Sequence, residues 1–281
     1  MWKKSYDDGA ILYLIPTPIG NMEDITFRSL KVLKEVSVIF SEDTRITRNL
    51  LNYFDIKKKL ISLHDHNENI VKEEVLSYLK SGLNVALVTD RGTPIISDPG
   101  YKTVSYVSKF GYSVVALPGA CAFVPALIVS GINPQPFTFY GFLDSKLEKR
   151  RKELENLKFV TNTLIFYEAP HRILQTMELM FDIFGDREVS ISREISKKFE
   201  SVYRGNISDL LPTLKSIKGE FVIVVSGNDC SFNDTQLGIV DQVKFYINNG
   251  MKKMDAIKYV AQENGMKKSD VYFMCHQEEE E

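Results

Sequence analysis

Along the first half of the chain, short apolar runs alternate with stretches whose apolar residues recur at helical spacing. The runs at 11–15, 38–40, 60–63, 85–89 and 114–117 predict strands. After the first they are nearly all apolar, as strands covered on both faces are. Between them, 26–36, 45–53, 69–80 and 101–110 predict amphipathic helices. Strand and helix in alternation mean βα units and a mainly parallel sheet with helices on both sides.

Asn133-Pro134-Gln135-Pro136 breaks this rhythm with two prolines in four residues, each restricting the residue before it, and reads as a linker. Beyond it a second α/β set is predicted, with strands at 137–141, 163–167, 188–191, 200–204 and 221–226 and helices at 147–157, 172–184 and 207–215. The third and fourth of these strands lie so close in sequence that part of this sheet should be antiparallel. After Gly227 the segment 228–234 is polar and the remainder is helical by period. Its patterns at 254–264 and 268–276 meet around Gly265 in the spacing of a helix-turn-helix, and the closing acidic run, 278–281, reads as a solvated tail. The expected organisation is an N-terminal α/β domain (1–132), a second α/β domain (133–227) and a helical C-terminal segment (228–281).

Composition changes this picture little. With 281 residues, 44% hydrophobic and 26% charged, the chain can bury full cores without staples. A net charge of −2 provides no global basic field, so any nucleic-acid contact must come from local patches. The cysteines, Cys121, Cys230 and Cys275, have no zinc or redox spacing, and no metal site is expected. The amino terminus reads as a first strand instead of a signal peptide, and no apolar run approaches the ~20 residues that span a bilayer. A cytoplasmic protein without membrane contact is expected.

Candidate chemistry lies in loops that follow strands, where α/β folds place ligands. Ile15-Pro16-Thr17-Pro18-Ile19-Gly20 is stiffened by two prolines, and Gly20 lets backbone approach a ligand; a rigid turn with Asp24 as a helix cap accounts for it as well. Ser41-Glu42-Asp43-Thr44-Arg45 sets two carboxylates beside a guanidinium, able either to grip a polar substrate or simply to cap a helix. Residues 89–100, TDRGTPIISDPG, hold many constrained positions, which points to backbone shaped around a ligand. Small residues at Gly119-Ala120-Cys121 open a helix whose amides could face that ligand. No histidine partner marks Cys121 as a nucleophile, so a packed thiol is expected. In the second half, Tyr167, Glu168, Ala169, His171 and Arg172 surround a strand end, while Lys146, Lys149, Arg150, Arg151 and Lys152, with Arg193, Lys197 and Lys198, form basic clusters suited to phosphate or to plain solvation.

The blocks IPTPIGNMEDIT, SEDTR, LHDHNE, TDRGTPIISDPG, FYEAPHR and REISKKFE, in this order, resemble the ribosomal RNA small subunit methyltransferase I family of the tetrapyrrole-methylase-like superfamily. The resemblance covers about residues 10–227 and extends in kind to the helical tail. It implies two α/β domains with a cleft between them, S-adenosylmethionine as cofactor, a homodimer, and transfer of a methyl group to a cytidine ribose 2′-hydroxyl in the decoding region of 16S rRNA in the 30S subunit. By position it implies cofactor contacts at Pro16, Gly20, Asp90, Gly92, Thr93, Pro94, Gly119, Ala120, Cys121, Tyr167, Glu168 and Ala169. It places Asp43 and Arg45 on the substrate side. Because a ribose hydroxyl is a poor nucleophile at neutral pH, Asp43 or Glu42 is expected to accept its proton or orient it, with Arg45 positioning the nucleotide. RNA contacts are expected at Arg91, Arg150, Arg151, His171, Arg172, Arg193, Lys197 and Lys198.

Two departures stand out. Arg91 replaces the family's usual small residue and is expected to face outward, because a guanidinium would repel a sulfonium. Cys121 stands where Ser is commoner. His64 and His66 are secondary candidates, better suited to structural hydrogen bonds. Two other readings fit the same pattern: a methyltransferase of this fold acting on a small tetrapyrrole, and a catalytically inactive RNA-binding assembly factor.

Overall fold

A computed structural model describes residues 4–6, 9–214, 218–228, 238–248 and 251–277. Cys230, most of the polar segment 228–234, the end of the helix expected at 207–215 and the acidic run 278–281 lie outside the described residues.

The first domain carries β1 (Ile11–Leu14), α1 (Phe27–Glu35), β2 (Val38–Ser41), α2 (Thr44–Tyr53), β3 (Lys59–Ser62), α3 (Glu68–Lys80), β4 (Val85–Val88), α4 (Tyr101–Lys109) and β5 (Ser113–Ala116). The strands pair in the order β3-β2-β4-β1-β5, all parallel. Their near-continuous apolar runs have a simple cause: both faces are buried. Leu12, Phe40 and Leu87 pack with Val75, Leu79 and Val107 on one face. Ile11, Ile39 and Val88 pack with Leu33 and Leu51 on the other. Each such side chain contributes about 1.5–3 kcal/mol of burial. Thr26 starts α1 by accepting from the Ser29 amide at 3.0 Å, so the cap is Thr26 and not Asp24.

Strands β1 and β4 are neighbours, yet the chain leaves them in opposite directions, toward β2 and toward β5. Their carboxyl ends form the switch point at which open parallel sheets leave a crevice.

Next comes α5 (Phe123–Ser130), followed by β6 (Phe137–Phe142), α6 (Leu147–Leu157), β7 (Thr163–Glu168), α7 (Ile173–Phe184), β8 (Glu188–Arg193), β9 (Ser201–Asn206), α8 (Ile207–Leu210) and β10 (Phe221–Val225). The second sheet runs β6-β7-β10-β8-β9, with β6 and β7 parallel and the remaining pairs antiparallel. The predicted helix at 207–215 is a short α8 followed by a 3-10 turn at Leu211–Leu214. Although α5 precedes the proline linker, its Ala126 and Leu127 pack with Ile165, Val222 and Val224 of the second sheet. By packing, the crossing between domains therefore lies between β5 and α5, not at the 132/133 boundary expected from the prolines. The described C-terminal residues form α9 (Ile239–Asn248), α10 (Lys253–Glu263) and α11 (Lys268–Gln277), which share a core of Val243, Ile257, Val260 and Val271.

Pro16 and Gly119 fix how the loops after β1 and β5 meet. Pro16 is buried, and a Cβ built on Gly119 would sit 2.6 Å from its ring. Gly119→Ala should therefore destabilise the protein by about 1–3 kcal/mol, seen as a lower urea midpoint at unchanged m-value. An unchanged midpoint would mean the two loops are not held in contact.

Candidate active site

Loops after β1, β2, β4 and β5, together with residues at the ends of β7 and β10, enclose a cleft of about 590 Å³ between the domains. The loops are locked to one another before any ligand arrives. Thr17 and Gly92 exchange both backbone hydrogen bonds, at 2.9 and 3.0 Å, across the β1/β4 switch point. The Thr17 hydroxyl donates to the Thr89 carbonyl at 3.1 Å, and the Thr93 hydroxyl donates to the Ala120 carbonyl at 2.9 Å. Gly92's own amide is thus used internally.

Much of the lining is apolar, and Ile46, Ile96 and Phe142 are left exposed in it. The same cleft is lined by the acids Glu42, Asp90 and Asp98. Asp98 is carried by a loop in which Ile95 and Ser97 both adopt positive φ, 77° and 66°, unusual for residues with side chains and most of all for a β-branched one. Burial pushes the Asp98 carboxyl up to about 7; the Thr89 hydroxyl pulls the other way, and Glu42 and Asp90 push it further up. Glu42 is raised by burial and then by Asp90, and Asp90 is raised by burial. A second, polar cavity of about 420 Å³ shares Glu42 and Asp90 with the first and is lined further by Asp43, Arg45, Ser62 and His64. His64 Nδ1 is buried there without a hydrogen-bond partner. Burial raises the Cys121 thiol, which disfavours the thiolate that a nucleophile would need.

Several expected roles change. Asp43 is the N-cap of α2: it accepts from the Arg45 amide at 2.8 Å and from its guanidinium at 2.5 Å. Those bonds hold its carboxyl at about 2, too acidic for a base. Glu168 lends only backbone to the cleft. Its carboxylate is buried and accepts from the Ala169 amide at 2.7 Å, Arg172 at 2.8 Å and Thr176 at 2.6 Å. Arg172 is consumed by that pair and by the Leu143 carbonyl. Arg150, expected at RNA, is only 2% exposed; it donates to Thr176 at 2.9 Å and to the carbonyls of Asp144 and Ser145. Lys197 bridges Glu194 and Glu220 at 2.9 and 2.8 Å instead of reaching outward. Arg193 has its Nε buried without a partner. Gly20 approaches Lys197 and the Ile195 carbonyl, and Pro16 faces Gly119, so neither opens onto the main cleft. Gly119 and Ala120 line a neighbouring groove with Ile19 and Lys197. The cleft does gather Asp90, Gly92, Thr93, Cys121, Tyr167 and Ala169. Arg91 points to the second domain, where it pairs with Glu220 at 2.5 Å. Arg151, His171 and Lys198 are not buried.

The family model of tetrapyrrole (corrin/porphyrin) methylases matches residues 11–211. A ribosomal RNA small subunit methyltransferase I from Bacillus subtilis is 45% identical over 277 residues, 96% of this chain and 95% of that protein. The chain belongs to the ribosomal RNA small subunit methyltransferase I family. A Vibrio cholerae protein of that name is 45% identical over 230 residues, 80% of each chain. Likeness to solved structures concerns the fold. The uroporphyrin-III C-methyltransferase of Thermus thermophilus, complexed with S-adenyl homocysteine, matches with a TM-score of 0.55 at 15% identity, over 78% of this chain and 97% of that one. The methyltransferase CobJ matches at 0.59 and 17%, over 79% and 95%.

In this family member, Asp98 is the cleft carboxylate that reading by residue type passed over. Its signal was present, an acid inside a loop dense in Gly and Pro, but only the fold shows that the loop turns this acid inward. Carboxyl-carbon NMR should find one aspartate titrating near pH 7 that disappears in Asp98→Asn, and one near pH 2 that disappears in Asp43→Asn. Because the folded Asp98 value is raised, its stabilising effect is complete below about 4 and is lost as pH rises through about 7. Asp98→Asn should therefore flatten the fall in Tm across that window. A fall identical to that of the parent protein would remove Asp98 as its source.

Proposed function

We propose that this protein transfers a methyl group from S-adenosylmethionine to small-subunit rRNA, at the 2′-hydroxyl of a cytidine ribose in the decoding region of 16S rRNA. The names of its relatives support the reaction class and the rRNA. The observation that carries the reading at the site is a largely apolar cleft lined by Glu42, Asp90 and Asp98, while the two nearby guanidiniums make their direct ion pairs elsewhere, Arg91 with Glu220 and Arg45 with Asp43. Such a lining suits a ligand with a positive centre and an apolar body, and the cleft has a volume of about 590 Å³. Asp90, Gly92, Thr93, Cys121, Tyr167 and Ala169, which line the cleft, are the residues proposed to hold the cofactor. When bound, its sulfonium supplies an activated methyl group.

The chain's own work is placement, which is worth about 7–11 kcal/mol of barrier when attacking and receiving atoms are held in line. The polar cavity beside the cleft is the proposed acceptor site, with Arg45 and His64 on its wall and Glu42 between acceptor and cofactor. Glu42 replaces Asp43 as the group that accepts the hydroxyl proton, since a carboxyl held at about 2 binds protons too weakly. Arg151, His171 and Lys198 are the proposed phosphate contacts. A cytoplasmic homodimer acting on the 30S subunit completes the proposal; among the described residues no helix is long and apolar enough to cross a membrane.

Calorimetry should register S-adenosylmethionine binding, and 30S subunits lacking the modification should accept labelled methyl groups while a uroporphyrinogen or precorrin should not. Transfer to the tetrapyrrole alone would replace this reading, and absence of cofactor binding would end it. Lys198→Ala should lower the salt slope of RNA binding by about one unit. Arg150→Met should leave that slope unchanged while costing about 2–4 kcal/mol of stability, because the carbonyls of Asp144 and Ser145 lose their buried donor.

A further inference from the structure

Helix α4 begins where the 89–100 loop ends, and its first turn has no cap of its own. Gly100, the residue before it, has no side chain to accept from the free amides and takes a φ of 125°. The acceptor comes from another helix. Glu68 opens α3, and its carboxyl, only 2% exposed, accepts from the Thr103 amide at 2.8 Å. An acid buried so deeply is rare without a specific partner, and here the partner is this amide.

Glu68 stands on a stiff base. In the loop after β3, Asn67 accepts from the His64 amide at 2.8 Å and donates to the Ser62 carbonyl at 3.0 Å. The Glu68 amide donates to the His64 carbonyl at 3.0 Å. Ser62 and His64 belong to the wall of the polar cavity. The other end of the Glu68 bond bears on the larger cleft. Ile96, Ser97 and Asp98 line that cleft, and Ile95 and Ser97 hold positive φ. Such backbone persists only where its surroundings hold it. Its front is held by the Thr17–Gly92 exchange and by the Thr93 hydroxyl on Ala120. Its rear is held by Gly100, where a Cβ would come within 2.8 Å of Leu87, and by Glu68 through Thr103. We propose that Glu68 is a positioning residue which, from the wall of the acceptor cavity, fixes the rear of the 95–98 segment in the shape that the cofactor needs.

This role rests on the methyl transfer and cofactor placement proposed above, and it gives Glu68 no contact with either reactant. It also has a direction. Removing the carboxyl frees the Thr103 amide, while the Asn67 bonds and the Glu68 amide bond remain. The cofactor side of the site therefore loosens and the acceptor side does not. The cofactor must then order the segment itself, which weakens its binding. One turn further along α4, the Tyr106 hydroxyl donates to Glu73 of α3 at 2.6 Å. That bond joins the same two helices away from the loop and serves as a control.

Calorimetry with S-adenosylhomocysteine and single-turnover methyl transfer to 30S subunits test the role. Glu68→Ala should weaken cofactor binding by about tenfold at unchanged stoichiometry. It should keep the parent's RNA affinity and regain the parent rate once cofactor is saturating. Glu68→Gln, which keeps an acceptor for the Thr103 amide, should restore most of the affinity, and Tyr106→Phe should bind as the parent does. Glu68→Asp keeps the acid but falls one methylene short, and should weaken binding in the same direction even where the Ala variant does not fold. Parent affinity in Glu68→Ala or Glu68→Asp, or an equal loss in Tyr106→Phe, would overturn the role. Hydrogen exchange in the ligand-free protein supplies an independent readout. Amides from Ile95 to Gly100 should exchange about tenfold faster in Glu68→Ala and near the parent rate in Glu68→Gln. Unaltered exchange there would overturn the role even in a protein that methylates normally. Faster exchange in a protein whose parent binds no cofactor would contradict the proposed reaction and not the hold of Glu68 on the segment.

Discussion

The mutual hydrogen bonding of Thr17 and Gly92 is the constraint on which the site depends. It joins the loops of two neighbouring parallel strands whose connections diverge, which is where an open α/β sheet would otherwise gape. From this bridge the order spreads outward. Thr17 fixes the Thr89 carbonyl, and the turn that follows Gly92 fixes the Ala120 carbonyl through Thr93. Three loops from three strands thereby become one rigid rim, and rigid rims hold reacting groups within the small tolerances that catalysis needs.

The second domain closes this rim with charge as well as shape. Glu220 receives Arg91 from the first domain and Lys197 from its own, and Ser196 donates to Asp24. These partly exposed pairs are worth little as stability. Their consequence is electrostatic: they engage Arg91 and Lys197 directly, while Glu42 and Asp90 each act on the Asp98 carboxyl with their own charge. Three acids gathered in one cleft repel one another until a positive ligand or a proton arrives. Cofactor binding and proton removal, as proposed, draw on that same imbalance.

Much of the fold was legible in the sequence because buried parallel strands write themselves as apolar runs. The five strands of the first sheet fall within a residue or so of their expected bounds. The helix-turn-helix spacing at the C-terminus corresponds to α10 and α11 but omits α9, which completes their shared core. What stayed hidden was decided by partners distant in sequence. Arg150 looked like one cation among many on α6, although Leu147, Arg150, Leu154 and Leu157 form a single helical stripe that foretells burial. Glu168 and Arg172 stand four apart, the spacing of a pair, and Thr176 completes their network from the next turn. Gly20 gives no local sign that its backbone meets Lys197 across the domain gap. Residue type alone likewise could not separate Asp43, spent on a helix cap, from Asp98, turned into the cleft by a strained loop.

The central claim, that the interdomain cleft holds the methyl donor while the adjoining polar cavity presents the acceptor across Glu42, is tested most directly by a co-crystal structure. The protein would be crystallised with S-adenosylhomocysteine and an RNA fragment carrying the target nucleotide. The account predicts the thioether ligand against the Gly92 turn, Cys121 and Tyr167, and a ribose hydroxyl within hydrogen-bond distance of Glu42. A ligand bound outside this cleft, or a ribose hydroxyl that lies far from Glu42 and approaches from the side of the second domain, would contradict it.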